Sequence, residues 1–108
     1  MATIKPMAKR TLLLDGVKSV KVRLWAPTRY TDEHRDYFCD YQITGLGFDE
    51  KIYHSLGADS FQALVEALRS IDCMLRTSEA YKSGKLSWVL DGGDLGFGDW
   101  MPKMTPAT

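Results

Sequence analysis

The sequence predicts a two-layer α+β domain. An antiparallel sheet of about five strands, in the order β-β-β-β-α-β, packs on one long helix. Three observations predict it. Phe61, Leu64, Val65, Leu68, Ile71 and Leu75 recur at spacings of three and four, while Gln62, Glu66, Arg69, Ser70, Asp72 and Arg76 fall on the opposite side, as in an amphipathic helix. Segments before and after this stripe alternate apolar and polar side chains, the period of a half-buried strand. A helix with one apolar stripe has to lay it on something, and the flanking strands supply the sheet.

Each element has its own signal. Residues 9–14 read as a strand, and Asp15-Gly16 is a two-residue turn of the kind that joins hairpins through positive φ. In the partner strand, 17–26, Val20, Val22, Leu24 and Ala26 alternate with Lys21, Arg23 and Trp25, and Pro27 ends the pairing. Residues 28–36 form a charged loop with little to bury. In a third strand, 37–44, Tyr37, Cys39, Tyr41 and Ile43 lie opposite Phe38, Asp40, Gln42 and Thr44. Gly45-Leu46-Gly47 with Asp49-Glu50 makes a turn into a fourth, short strand at 51–56, and Gly57 breaks the chain.

The helix is expected from Asp59 to about Lys82. Asp59 is a good N-cap with Gln62 three residues on, Ser60 is a competing cap, and Gly84 is a reasonable stop. Residues 86–90 give a fifth strand with Leu86, Trp88 and Leu90 on one face. Asp91-Gly92-Gly93-Asp94 turns the chain, and 95–100 wraps back. The folded body is one domain over residues 9–100. Residues 1–8 and 101–108 are expected to be flexible termini, the latter broken by Pro102 and Pro106.

Composition bounds the function. A chain of 108 residues with 44% hydrophobic and 26% charged content supports one core without metals or disulfides. Fourteen basic residues balance fourteen acidic ones, which argues against a dedicated nucleic-acid binder and gives no reason to expect a membrane surface. No apolar run approaches the ~18 residues that span a bilayer, and Leu12-Leu13-Leu14 is too short for a signal peptide. Cys39 and Cys73 are read as buried or half-buried thiols of a reducing cytoplasm.

Catalytic and metal signals are weak. His34, Asp36, Cys39 and Asp40 are metal-ligand residue types, but their spacing matches no paired Cys or His zinc pattern. Asp91, Asp94 and Asp99 lack the spacing of a calcium loop. Cys39 with His54 is the one nucleophile–base pairing worth naming. Gly45-Leu46-Gly47 is not a dinucleotide fingerprint, because Glu50 stands where the third glycine belongs and a strand follows. No metal and no cofactor are therefore expected.

The candidate binding residues are Lys21, Arg23 and Trp25 of the second strand with Asp40 and Gln42 of the third. If the helix covers only one side of the sheet, these five sit on the other, and an exposed Trp beside Arg is what protein interfaces favour.

The helix start Gly57-Ala58-Asp59-Ser60-Phe61-Gln62-Ala63-Leu64, the Trp88 strand and Asp94-Leu95-Gly96-Phe97 resemble a family of small bacterial proteins built on a domain of unknown function. The resemblance implies a bacterial cytoplasmic origin and an α+β fold, and it carries no catalytic residues. The leading expectation is a non-enzymatic protein-interaction module, immunity- or adaptor-like, whose partner is another protein or a second copy of itself. The rival is a small-ligand binder or enzyme with a pocket between helix and sheet lined by Tyr37, Cys39, Tyr41 and His54.

Overall fold

In the computed structural model, residues 5–29, 36–47, 49–88, 95 and 97 are described. They form six strands and two helices: β1 (Ala8–Leu14), β2 (Val17–Leu24), β3 (Thr28–Arg29), β4 (Tyr37–Thr44), β5 (Tyr53–Gly57), α1 (Ser60–Arg76), α2 (Glu79–Lys82) and β6 (Leu86–Ser87). The expected α+β class holds: every pairing is antiparallel, and α1 packs over β4 and β5.

The register follows from local chemistry. Asp15 and Gly16 take φ of 52° and 80°, the conformation a two-residue hairpin turn needs, and they close β1 on β2 at Leu14↔Val17. Carried back without interruption, that register would set Leu12 against Ser19. A bulge shifts the pairing between Leu12 and Leu13, so Leu12 meets Val20 instead and both are fully buried. The bulge presses Ser19 toward Gly45. A Cβ on Gly45 would stand 2.3 Å from the Ser19 carbonyl oxygen, and its φ of +97° also requires glycine.

β4 is the branch point of the sheet, pairing with β2, β3 and β5. Tyr41 pairs with both Leu24 and Tyr53, and Tyr37 with both Arg29 and Gly57. β2 and β3 therefore share one edge of β4, as one strand interrupted at 25–27, and β5 takes the other edge. β6 closes the far side by pairing with β1 at Leu14↔Leu86.

Several boundaries differ from expectation. The predicted single helix to Lys82 is two. Ser78 is buried, and its hydroxyl donates to Leu75 O at 2.6 Å and accepts from Tyr81 N at 3.2 Å, so it ends one helix and caps the next. The helix start is as expected: Asp59 Oδ1 accepts from Gln62 N at 2.7 Å, and Gln62 Oε1 accepts from Ala58 N at 2.7 Å. Thr28–Arg29, expected in a loop, pairs with Phe38 and Tyr37. Gly57 belongs to β5 rather than breaking the chain before the helix. The fifth predicted strand is regular only at Leu86–Ser87, and its remainder at 89–90 lies outside the described residues.

The helix stripe is also rotated. Ala63, Ala67, Ile71 and Leu75 are fully buried, Leu64, Val65 and Leu68 are half-buried, and Phe61 is 76% exposed. Small residues lie beneath the helix because it approaches the sheet closely at Gly57. The core joins this stripe to Leu12, Val20, Val22, Leu24, Cys39, Tyr41 and Ile43 from one face of the sheet.

Candidate functional site

Strand alternation sets which side chains share the face away from α1. Register pairs Arg23 with Lys9 on one side and Gln42 on the other, Lys21 likewise with Thr11 and Thr44, Phe38 with Leu56, and Asp40 with His54. Thr11, Lys21, Arg23, Phe38, Asp40, Gln42 and Thr44 each neighbour a buried core residue on their strand, and Lys9, His54 and Leu56 are cross-strand partners of Arg23, Asp40 and Phe38, so all lie on the opposite face. Lys21, Arg23, Asp40 and Gln42 thus come together, each half-buried. Trp25, two residues beyond Arg23, is half-buried at the interruption between β2 and β3, where its backbone N donates to Asp40 O at 2.9 Å.

The groups on this face have local partners. Arg23 Nη1 donates to Thr44 Oγ1 at 3.4 Å. Gln42 Nε2 donates to Glu50 O at 2.8 Å and so holds the β4–β5 connection. His54 Nδ1 lies 3.9 Å from Asp40 Oδ1, and its ring meets Phe38 edge-on at 6.1 Å. Lys9, Lys18, His54 and Leu56 belong to the face and were missed in the sequence. Lys18 reaches it only because the bulge reverses the alternation after Ser19, and Lys9 is set beside Arg23 by the same shift.

The residues named for a pocket do not converge. Cys39 and Tyr41 are buried on the helix side, whereas His54 is exposed on the other face. Cys39 pairs with Ser55, so alternation also separates Cys39 from His54 and rules out that nucleophile–base pair. Burial first, and the Asp40 carboxylate second, push the Cys39 thiol up to about 11 from the ordinary 9.0. Its S–H donates to Trp25 O at 3.2 Å, which helps to hold β2, β3 and β4 together at the interruption.

A folded value raised above the unfolded one leaves the thiol's contribution intact below pH 9 and removes it as pH climbs toward 11. Cys73 is exposed, which corrects the expectation of two sheltered thiols. We expect a thiol reagent near pH 8 to label one cysteine, Cys73, in the native chain and both after denaturation. Equal native labelling of the two would contradict the buried placement of Cys39.

A cavity of about 210 Å³ does lie between helix and sheet, away from the expected residues. Ala8, Arg10, Val22, Leu24, Leu68 and Ile71 line it, with Phe97 beside them. Arg10 is already engaged. Its guanidinium lies 3.8 Å from the Trp88 ring centroid and 4.7 Å from that of Phe97, and it donates to Leu95 O at 3.0 Å. Nothing local in the sequence marks this clasp, whose ends are 85 residues apart.

Among the described residues, no group of three or more His, Cys, Asp and Glu could hold a metal ion. His34, Asp91, Asp94 and Asp99 lie outside the described residues. No described helix is long and apolar enough to cross a membrane.

Fold and face together define a small two-layer α+β domain whose sheet carries a basic, aromatic-bearing surface opposite its helix. A family model for a domain of unknown function, DUF6968, matches residues 8–98, and the chain belongs to that family. No curated protein and no solved structure matches the chain.

Proposed function

We propose that this chain is a non-enzymatic protein-interaction module that docks an acidic protein surface on the face of the sheet opposite α1. We read it as a bacterial cytoplasmic protein of immunity- or adaptor-like type, on the resemblance of its helix start and its Asp-Leu-Gly-Phe segment to small bacterial proteins. The observation that carries the reading is the segregation of charge. Lys9, Lys18, Lys21 and Arg23 share the open face with Asp40, whereas on the helical layer Glu66, Asp72 and Glu79 are matched by Arg69, Arg76 and Lys82. A chain of zero net charge thereby concentrates a basic excess on one face of its sheet. Half-buried Arg23 and Trp25 supply the residue types that anchor protein interfaces.

The test is capture from an extract of the host cell, with the wild type compared with the double variant Lys21→Glu, Arg23→Glu. We expect one stoichiometric acidic protein, bound more weakly as salt rises and at least roughly tenfold more weakly by the double variant. The variant's melting temperature should stay near that of the parent. A set of captured proteins identical for both chains would refute the reading. Capture that disappears after nuclease treatment would replace it with nucleic-acid binding.

A further inference from the structure

We infer that two copies of the chain join edge to edge through β5, which extends the sheet antiparallel across a two-fold axis near Ser55. This edge borders the open face, to which the His54 and Leu56 side chains also belong, and it lies on the far side of β4 from Lys21 and Arg23.

In an antiparallel strand, alternate residues aim N–H and C=O away from the neighbour already paired. β5 pairs only with β4 among the described residues, and no described backbone group reaches its outer edge. Natural edge strands are normally blunted by Pro, by an inward Lys, by a bulge or by brevity. Tyr53–Gly57 carries no proline, no charged Lys or Arg and no bulge, and it is five residues long. The opposite edge, β6, has only two residues.

What fits this edge is itself. With the axis at Ser55, His54 faces Leu56 of the second copy and Tyr53 faces its Gly57, so no like charges meet. Leu56, 51% exposed, would be covered. The helical layer is compatible with the same axis. Ser70 Oγ lies 3.4 Å from Ser55 Oγ and α1 packs on both β4 and β5, so α1 runs above the seam between those strands. Strands are about 4.8 Å apart. The two copies of α1 would then lie roughly 10 Å apart, the spacing of packed helices.

The flank of α1 that would meet its copy carries Gln62, Glu66, Arg69 and Cys73. Glu66 and Arg69, paired at 3.6 Å within one chain, offer opposite charges to an antiparallel copy.

Sedimentation equilibrium of the full chain tests this. We expect twice the chain mass of 12.2 kDa at high micromolar concentration. Leu56→Lys and His54→Lys each place a charge at the edge on an exposed side chain. Both should sediment at the single-chain mass and keep the parent's far-ultraviolet circular dichroism. A wild type that remains a single chain would overturn the inference. So would a dimer that persists in both edge variants, or one that is lost instead on Lys21→Glu, Arg23→Glu.

Discussion

Replacing Gly57 by alanine is expected to destabilise the domain by about 3 kcal/mol, which for a chain of this size lowers the melting temperature by roughly 12–24 °C. The reason is space rather than backbone conformation. A Cβ at this position would stand 2.3 Å from Ala63 N, 2.8 Å from Gln62 C and 2.9 Å from Ala63 Cα. All three are backbone atoms of the first turns of α1, so no side-chain rotation relieves the clash. Either the end of β5 leaves Tyr37 or the helix start lifts from the sheet. A thermal melt decides it. A shift of only a few degrees would mean that strand and helix are not in contact there.

Ile71→Ala should cost about 3–4 kcal/mol. Ile71 is fully buried and lines the cavity beside Arg10, so truncation enlarges a void that a rigid sheet cannot close. Phe61→Ala is the informative companion. Phe61 has the larger side chain and belongs to the same periodic stripe, yet it is 76% exposed, and its loss should change stability by no more than about 0.5 kcal/mol. Denaturant titration of the two variants measures both. Equal losses would return the helix to the orientation that periodicity alone suggests.

That contrast shows what was legible in the sequence and what was not. Periodicity located α1 and its cap, because Asp59 and Gln62 act within four residues of each other. It could not fix the rotation of the helix, since spacing treats Ala63 and Ala67 as neutral, whereas a close approach to β5 selects them for burial. Alternation placed Lys21, Arg23, Asp40 and Gln42 on one face, because side-chain direction in a strand is set by parity. It failed at Lys18, where the bulge inverts parity, and at Cys39 and His54, where two parities were joined into one supposed pocket. The break at Ser78 was hidden because its hydroxyl bonds both helices in a way that no spacing rule announces. The Arg10 clasp depended on chain segments that only the folded topology brings together.

The placement of β6 bears on how the domain opens and closes. The β1–β2 hairpin is made of near neighbours in the chain and costs little loop entropy to form. The β1–β6 border has two residue pairs, the Asp15 N to Lys85 O bond and the Arg10 clasp, and it closes only when nearly the whole chain has been gathered. We therefore expect it to be the last seam to close in folding and the first to part. We expect this border to open before Val20, Ile43 and Ile71 unpack, which would uncover Arg10 and the cavity beside it; amide exchange at Leu86 as slow as at Ile43 would contradict this.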